Sequence, residues 1–490
     1  MGSVMNFVLP LIIDGKDLQA DTAERLFSED TFGRCHNHGE GILIQGADAT
    51  SCRLAVESCS RAFVSWKNSS PHYRRELFLR LANLLRERED EIKLLMQLEI
   101  NCSPLWSTIN VEDSIKMIEE AAALTTSLAL NGIAPQSHST SVQALVLNEP
   151  LGVVLGIAPW NSPLILGFRA VVAPVAAGNT AILKGSELSP RTHHFIANLF
   201  RDSGFPPGVL NFLVHREEDA GEVFRALIET QEVRKCNFTG STPVGRLIAS
   251  KAAMELKPVL LELGGKNFAV VLEDADLEQA AKLVLEGAFL YNGQICMSTD
   301  PVLVANSVMD AFREKLLNIF QGSAFGITIA PVRTAKSAAR IRRLITDAES
   351  KGARVTQLTT KSDTVEHPEI QQNIIPATII ENMDTSMSFY SEEAFGPLLG
   401  IIPFSSQAEA TQVIQGCPFG LSAAIFTRNH FSGLQIAKTL RVGAVHINGA
   451  TVHDESTLPH GGHGDSGWGR FGAGWGLEEF THTKTVIMNE

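Results

Sequence analysis

Two kinds of hydrophobic pattern follow one another along the chain. Between residues 53 and 99, leucines and isoleucines recur at three- and four-residue spacing among Arg and Glu, which predicts a layer of amphipathic surface helices. From residue 149 onward, short apolar runs rich in β-branched residues are separated by helical stretches. These runs lie at residues 153–155, 181–183 and 209–214. Such alternation predicts a parallel sheet with crossover helices.

A second series of apolar runs begins in the middle of the chain. Its members lie at residues 268–272, 302–304, 423–426 and 445–447. They too alternate with helical stretches, so we predict a second α/β unit that joins the first near residues 262–266. No internal repeat of about 20–50 residues and no low-complexity linker interrupts the pattern. The predicted fold class is α/β, with two sheet-centred units.

Composition limits the kinds of partner. The chain has 490 residues, of which 44% are hydrophobic and 19% are charged, so it can bury a large core. Its net charge of -13 gives no electrostatic footprint for nucleic acid or an anionic membrane. No apolar run reaches the roughly 18 residues needed to cross a bilayer, and neither terminus carries a recognisable targeting signal. We expect a cytoplasmic protein that acts on a small molecule.

Cys296 is the first candidate for chemistry. The chain has seven cysteines and no CxxC pair, which is typical of reduced thiols. Cys296 lies just after Gly293 in a segment that we expect to be a loop entering a helix. Because a helix N-terminus lowers a thiol pKa, this position favours a nucleophilic thiolate. Taken alone, a cysteine is more often a buried apolar side chain.

Glu262 is the second candidate. It follows Leu260 and Leu261 near the end of an apolar run and precedes the pair Gly264-Gly265. Partial burial there would raise its pKa toward neutrality, which suits a general base that takes a proton from water. A surface glutamate before a turn is the simpler alternative.

Asn161 is the third candidate. It stands in the segment 156–163, after an apolar run and before Ser-Pro. Its side-chain amide could donate a hydrogen bond to a developing oxyanion, together with the backbone N–H of Cys296. An ordinary loop asparagine would look the same.

Two further segments could hold a nucleotide. One is Lys184-Gly-Ser-Glu187 after an apolar run, and the other is residues 238–245, which open a predicted helix with a Gly-Ser pair. Free backbone N–H groups at a helix start suit a pyrophosphate. Neither segment is the GxGxxG fingerprint, and a serine N-cap on a structural helix explains the second equally well.

Taken together, these segments resemble the aldehyde dehydrogenase superfamily from about residue 149 to the C-terminus. The signatures are Pro-Trp-Asn at 159–161, Phe-Thr-Gly-Ser at 238–241, Glu-Leu-Gly-Gly-Lys at 262–266, Gly-Gln-Ile-Cys at 293–296 and Glu-Glu-Ala-Phe-Gly-Pro at 392–397. The resemblance implies a Rossmann-like NAD-binding domain, a second α/β catalytic domain and a small oligomerisation arm. It also implies that Cys296 attacks the aldehyde, that Asn161 holds the oxyanion and that Glu262 activates the water that releases the acid.

The same resemblance implies a cofactor site. It assigns Lys184 and Glu187 to the adenosine ribose, Trp160 and Ser241 to the pyrophosphate, and Glu393 with Phe395 to the nicotinamide ribose. The other predicted cofactor contacts are Phe238, Thr239, Gly240, Val244, Leu263 and Gly264. Glu187 favours NAD, because a carboxylate accepts hydrogen bonds from a 2′-hydroxyl and repels a 2′-phosphate. NADP stays possible.

Three longer segments, 161–170, 293–299 and 445–455, resemble the vanillin and salicylaldehyde dehydrogenase group within this family. The resemblance implies an aromatic or conjugated aldehyde, and the small Ser162 would leave room for a ring. The chain departs from the pattern at Pro301, where the group commonly has Arg, and at His460, where the family usually has Phe. Residues 318–335 are shorter than usual. These departures suggest an altered mouth of the site.

The resemblance also implies the domain organisation. We predict an NAD(P)-binding domain from residues 1–127 and 151–262, and a catalytic domain from 263–458. Residues 128–150 and 459–490 would form the oligomerisation arm and C-terminal segment, giving a homodimer or homotetramer.

Three alternatives are open at this point. A metal site at His446, His453, His460 and His463 is disfavoured, because their spacing fits no tight zinc motif. A cofactor-independent thiol esterase could use the same three candidate residues. A catalytically weakened binding protein derived from a dehydrogenase is also conceivable, although all three candidate positions are intact.

Overall fold

The computed structural model describes residues 8–18, 26–28, 42–127, 130–139, 141–321, 330–358 and 372–489. The helices are α1 (Ala49–Trp66), α2 (Pro71–Glu87), α3 (Glu89–Ile100), α4 (Pro104–Leu124), α5 (Pro163–Ala176), α6 (Pro190–Asp202), α7 (Ala220–Ile228), α8 (Thr242–Met254), α9 (Leu277–Phe289), α10 (Met309–Gln321), α11 (Ala335–Ser350), α12 (Ser388–Ser391), α13 (Gln407–Gln415), α14 (His430–Ala437) and α15 (Ala473–Glu478).

The strands are β1 (Val8–Leu9), β2 (Leu11–Ile13), β3 (Lys16–Leu18), β4 (Leu26–Ser28), β5 (Leu43–Gln45), β6 (Gln143–Pro150), β7 (Val153–Ile157), β8 (Thr180–Lys184), β9 (Leu210–Leu213), β10 (Val233–Gly240), β11 (Val259–Leu263), β12 (Asn267–Val271), β13 (Thr299–Ala305), β14 (Arg354–Leu358), β15 (Ala377–Glu381), β16 (Leu398–Phe404), β17 (Phe419–Gly420), β18 (Ser422–Phe426), β19 (Ala444–Ile447), β20 (His463–Gly464), β21 (Gly467–Trp468) and β22 (Thr481–Met488).

The first predicted sheet has eight strands in the order β21-β11-β10-β7-β8-β9-β2-β3. Its five central strands are parallel, and short antiparallel strands close both edges. Strands β7 and β9 are buried along their whole length because helices cover both faces of the sheet. Continuous burial explains why these strands appear in the sequence as unbroken apolar runs.

The second sheet has seven strands in the order β14-β15-β16-β13-β12-β18-β19, all parallel except β14. The four apolar runs of the second series form β12, β13, β18 and β19. The chain passes from the first sheet to the second between Leu263 and Asn267, where the sequence predicts the join. The α/β class is confirmed, while the exact domain boundaries stay a prediction.

Helix α1 packs on strands of the first sheet, and α2, α3 and α4 pack on one another and on α5 and α6; α1, α2 and α3 correspond to the predicted helical layer. Helix α1 begins with a capping box, in which the side chain of Asp48 accepts from the backbone N–H of Ser51 and the side chain of Ser51 accepts from that of Asp48. Each of these helices also buries an apolar face in the large core around the first sheet. No helix of the described residues is long and apolar enough to cross a membrane.

Strands β6 and β22 form a separate two-stranded antiparallel ribbon. Their pairing runs from Thr481 opposite Pro150 to Met488 opposite Gln143. The two segments that the sequence assigns to an oligomerisation arm therefore pair with each other within one chain. Association of chains stays a prediction.

Candidate active site

Cys296 lies in a turn between a 3₁₀ turn, Leu290–Gly293, and strand β13. Gly293 has a φ of 67°, and a Cβ there would lie 2.2 Å from the backbone oxygen of Gly396, so only glycine fits. Tyr291 and Asn292 also have left-handed backbone angles. The expectation of a helix after Cys296 is wrong, because this tight reversal leads directly into a strand.

The environment of Cys296 also differs from the one expected of a thiolate. Burial and the neighbouring carboxylate of Glu262 raise the pKa of the Cys296 thiol well above its usual value, and Arg169 offsets this only in part. No helix begins at Cys296 to lower this pKa, since the chain continues as a strand. Cys296 is therefore a thiol in the resting protein, and its proton must leave before or during any attack on a carbonyl.

Glu262 lies inside strand β11 and is completely buried. Its Oε1 accepts a hydrogen bond from Sγ of Cys296 at 3.4 Å, and its Oε2 accepts from Nη1 of Arg169 at 3.0 Å. Burial acts to raise the pKa of Glu262, but His460 and Arg169 outweigh it, and the net shift is strongly downward. The expected rise of this pKa is thus wrong, because the sequence did not reveal the two cationic neighbours.

Arg169 and His460 complete a buried cluster of charged side chains around Glu262. Nε2 of His460 lies 3.0 Å from Oε1 of Glu262, and Nδ1 of His460 lies 3.6 Å from Oδ1 of Asp454. Arg169 also pairs with Asp454 through its second nitrogen. The sequence contains one signal for this cluster, since Arg169 is the single charged residue in the otherwise apolar helix α5. From the sequence, Arg169 is only one position of the segment 161–170, and no separate role is predicted for it.

Asn161 precedes helix α5 and is buried. Its Nδ2 donates a 3.0 Å hydrogen bond to the backbone oxygen of Gln294, two residues before Cys296. Its own backbone oxygen accepts from Nε1 of Trp106 at 3.0 Å. These two bonds fix Asn161 beside the turn that carries Cys296.

Two cavities meet at Cys296. A cavity of about 660 Å³ opens on one side of the thiol, and its apolar lining includes Trp106, Ile109, Leu166, Ile295, Met297 and Val452. A second cavity of about 390 Å³ lies on the other side. Cys296, Asn161 and Leu166 line both. A group that occupies one cavity can therefore meet a group in the other at the sulfur atom.

The smaller cavity brings together most of the residues predicted to hold a cofactor. They are Trp160, Thr239, Gly240, Ser241, Leu263, Gly264, Glu393 and Phe395. Helix α11 also contributes to the lining, through Lys336, Ser337 and Arg340, and no motif in the sequence predicted these contacts. Arg340 donates through Nη1 to the backbone oxygen of Glu393 at 2.8 Å, so α11 holds the segment that carries two of the predicted residues.

Four predicted cofactor residues do not line this cavity. Phe238 lies under Gly240, where a Cβ would come within 2.4 Å of its ring. Val244 is partly exposed on the first turn of α8. Lys184 ends β8 and Glu187 follows it in the loop before α6, so both lie at the carboxyl edge of the first sheet. That edge is where nucleotides bind in open parallel sheets.

A dinucleotide fits the chemistry of this cavity. The side chain of Ser241, the N-cap of α8, makes no capping hydrogen bond, so the first N–H groups of that helix are available to a pyrophosphate. A Cβ at Gly264 would lie 2.3 Å from Oε2 of Glu393, and a Cβ at Gly245 would lie 2.4 Å from Leu263. These two glycines allow the close approach of the segments that form the walls of the cavity.

The departures from the family pattern at Pro301 and His460 differ in their relation to the two cavities. Pro301 lies within β13 opposite Gly400 and lines neither cavity, so it does not alter the mouth of the site. His460 is part of the charged cluster at Glu262. The shortened segment 318–335 lies partly outside the described residues. Among the described residues, no group of three or more His, Cys, Asp or Glu side chains is arranged to hold a metal ion.

Comparison with known proteins assigns the family. A profile of the aldehyde dehydrogenase family matches residues 36–486. A vanillin dehydrogenase from Pseudomonas sp. (strain HR199 / DSM 7063) is 38% identical over 489 residues, 98% of each chain. The crystal structure of a salicylaldehyde dehydrogenase from Pseudomonas putida G7, complexed with salicylaldehyde, superposes with a TM-score of 0.91 at 33% identity, covering 99% of this chain and 98% of that one.

A second similar structure is an NADP-dependent glyceraldehyde-3-phosphate dehydrogenase from Bacillus halodurans C-125, complexed with NADP. It has a TM-score of 0.89 and 30% identity and covers 99% of both chains. The chain belongs to the aldehyde dehydrogenase family, and it is an enzyme with the fold of that family. The resemblance stated from the sequence motifs is confirmed.

Proposed function

We propose that this enzyme oxidises an aromatic or conjugated aldehyde to the carboxylic acid with a nicotinamide dinucleotide as oxidant. The observation that carries the proposal is the position of Cys296, whose thiol lies where the two cavities meet and donates to the buried carboxylate of Glu262. A nucleophile between a substrate cavity and a cofactor cavity is the arrangement that covalent aldehyde oxidation requires.

In the first half of the reaction, Sγ of Cys296 forms a bond to the aldehyde carbon. Because burial raises the pKa of the thiol, its proton must pass to a base as the bond forms. Oε1 of Glu262, at 3.4 Å, is the acceptor within reach. The side-chain amide of Asn161 and the backbone N–H of Cys296 are the proposed donors to the oxyanion. A bound nicotinamide supplies the hydride acceptor, and a thioester remains on Cys296.

In the second half, water attacks the thioester carbon. Glu262, after passing the thiol proton to solvent, takes one proton from that water as the new C–O bond forms. The sulfur of Cys296 leaves with the electrons of the C–S bond and regains a proton from Glu262. The carboxylate can do this because Arg169 and His460 keep it ionised inside a completely buried site. The product is the free acid.

The larger cavity supports an aromatic or conjugated substrate. Eight apolar side chains line it, and among them Trp106 offers a flat surface to a ring. Ser162, small and buried, donates its hydroxyl to Oδ1 of Asn110 at 2.9 Å and leaves the adjacent space free. The relatives named vanillin dehydrogenase and salicylaldehyde dehydrogenase support the same class of substrate.

For the cofactor, we propose NAD in preference to NADP. Glu187 lies in the loop after β8, and a carboxylate at the adenosine ribose would accept from a 2′-hydroxyl and repel a 2′-phosphate. Lys184, with its cationic side chain nearby, is the reason to test both cofactors, as is the similar enzyme that binds NADP.

We also propose that the protein forms a homodimer or homotetramer. Helix α8 and the turn that follows it expose four large apolar side chains, Val244, Leu247, Met254 and Leu256, the last two of which are 80% and 93% exposed. A cluster of this kind is typical of a surface that another chain covers. Light scattering on the purified protein measures the assembly, and a monomer at micromolar concentration would contradict this part of the proposal.

The function is tested by following the absorbance of reduced cofactor with purified protein and a panel of aromatic, polyenyl and aliphatic aldehydes, with NAD and NADP supplied separately. We expect turnover with aromatic or conjugated aldehydes, and none with Cys296→Ala. Cys417→Ala is the matched control, because Cys417 is buried in the second sheet's core, away from both cavities. Hydrolysis of activated esters without any cofactor requirement, and no aldehyde oxidation, would instead support a thiol esterase.

A further inference from the structure

The charged cluster at Glu262 contains one member that the proposed reaction does not yet use. His460 lies next to Glu262 on the side opposite Arg169, and its side chain is more than nine-tenths buried. Nε2 is within 3.0 Å of Oε1 of Glu262 but is not aligned as a hydrogen bond to it. A buried ionisable ring beside a buried carboxylate is costly unless the two carry opposite charges, so this contact bears directly on the charge state of Glu262.

The backbone of His460 is held independently of its side chain. His460 and Phe471 form an isolated antiparallel bridge and exchange both backbone hydrogen bonds, each 2.8 Å long. The backbone position of His460 is therefore fixed, and its ring can be replaced without removing the contacts that hold the segment. This separation makes the role of the ring itself accessible to experiment.

The charges of the neighbouring side chains determine which protonation state of the His460 ring is favoured. Glu262 and Asp454 supply two negative charges, and Arg169 supplies one positive charge, all within one buried cluster. A buried cluster with an uncompensated charge is strongly unfavourable, and a protonated His460 makes this one neutral. Burial acts to lower the pKa of His460, but Asp454 and Glu262 outweigh it, so the net shift is upward.

We propose that His460 is a positioning residue for Glu262: together with Arg169 it holds the carboxylate with Oε1 toward Cys296, and its positive charge keeps Glu262 ionised for hydrolysis of the thioester. The proposal rests on the proposed function and deepens it. Arg169 donates to Oε2, as does Oγ1 of Thr239, so without His460 the oxygen that accepts from Cys296 would have no cation beside it.

His460 lines a cavity of about 50 Å³ that adjoins the larger cavity and shares Arg169 and Asp454 with it. It is large enough for a few water molecules, through which His460 would exchange its proton. Besides Arg169 and Asp454, the titratable side chains that line it are Asp113, Lys116 and Glu120 of α4 and Glu455. His446 is the remaining ionisable group in electrostatic contact with His460. Lys116 and Glu455 are exposed, so the cavity reaches the surface.

The test compares the full-length enzyme with three variants. His460→Phe keeps a ring of similar size but removes both the charge and the donor. His460→Gln keeps a donor without the charge. His463→Gln is the matched control, because His463 is exposed and contacts Arg470 rather than Glu262. Thermal melting and cofactor binding establish that each variant is folded.

The first readout separates the two halves of the reaction. We expect both His460 variants to keep the initial burst of reduced cofactor, while the acid limb of the steady-state rate moves up by about one pH unit or more. The shift follows because burial raises the pKa of Glu262 once one of its two cations is lost. His463→Gln should match the wild type. A role in packing alone would lower the burst and the steady rate together and leave the acid limb where it is.

The second readout does not depend on activity. Infrared difference spectra between about pH 5 and pH 8 detect the carbonyl stretch of a protonated carboxyl group. We expect an added band at the acid pH in His460→Phe that is absent from the wild type and from the double variant His460→Phe/Glu262→Gln. Identical spectra in the first two, with an unmoved acid limb, would overturn the proposal. Absence of aldehyde oxidation in the wild type would instead contradict the proposed function, whatever the spectra show.

Discussion

Sγ of Cys296 donates a hydrogen bond to Oε1 of Glu262 across 3.4 Å, and no backbone segment separates the two side chains. One carboxylate oxygen is thus in reach of the thiol and of any water that approaches a thioester on the same sulfur. This contact explains how a single buried base can serve both halves of the proposed reaction.

Glu262→Gln separates those halves. We expect the variant to release its first burst of reduced cofactor more slowly, because Oε1 no longer accepts the thiol proton, and then to lose steady turnover by about 10²-fold or more, because hydrolysis of the thioester requires the base. Rapid mixing with absorbance detection measures both phases. A first burst as fast as that of the wild type would show that another base takes the thiol proton, whereas undiminished steady turnover would contradict the role of Glu262 as base.

Asn161→Ala tests the proposed oxyanion donor. The change removes the side-chain amide but leaves intact the hydrogen bond that Nε1 of Trp106 donates to the backbone oxygen of Asn161. We expect kcat to fall by about 10²–10³-fold, the usual effect of removing one oxyanion donor. Asn110→Ala is the control, since it removes the nearby contact with Ser162 without touching Cys296. Similar losses in both variants would indicate a packing effect and not a donor at the oxyanion.

Lys266 and Asp300 form a buried ion pair of 2.8 Å at the boundary between the two sheets. Lys266 also donates to the backbone oxygen of Glu392 at 2.9 Å, so it supports the segment that carries Glu393. We expect Asp300→Ala to destabilise the protein by about 3–5 kcal/mol, because it leaves a buried ammonium group unpaired. Urea unfolding measures the loss.

The double variant Lys266→Met/Asp300→Leu provides the control for that prediction. Replacing both charges by apolar groups leaves no uncompensated charge, so much of the lost stability should return. A double variant less stable than Asp300→Ala alone would show that the hydrogen bonds of Lys266, and not its charge balance, dominate.

Glu393 should make stability depend on pH. Burial, with Asp300 nearby, raises its pKa from 4.5 to about 7, so the folded protein favours the neutral carboxyl group. Its favourable contribution is complete below the pKa of the unfolded chain and is lost as pH rises through about 7. Glu393→Gln should therefore reduce the drop in unfolding free energy between pH 5 and pH 8 by about 1–3 kcal/mol. Glu392→Gln, at the neighbouring partly exposed position, is the control; an unchanged pH dependence in Glu393→Gln would contradict the assignment.

Much of the fold was predictable from local pattern. Residues 153–155 and 268–272 were assigned to strands because a strand covered on both faces must be apolar at every position, and that requirement is visible in the sequence. The join near 262–266 was equally visible, because two glycines interrupt the apolar runs there. The assignment of an oligomerisation arm and the domain boundaries rested on resemblance alone.

Most of the lining of the smaller cavity was also predictable. Its lining comes from short motifs such as residues 238–241 and 262–266, whose glycines allow segments to approach closely. Helix α11 was missed because Lys336 and Arg340 belong to an ordinary amphipathic helix, and nothing in that pattern shows what the exposed face lies against. Contacts between distant segments have no local signature.

The sequence by itself determined the class of fold, the family and the identities of Cys296, Glu262 and Asn161 as candidates, because each is encoded in contiguous residues. The tertiary structure alone decided their electrostatics. Arg169 is 93 residues from Glu262 in the chain, and Asp454 is 285 residues from Arg169, yet these side chains share one buried cluster with His460. A pKa depends on which charges lie within a few ångströms in a poorly solvated interior, and that set is defined only when the chain has folded.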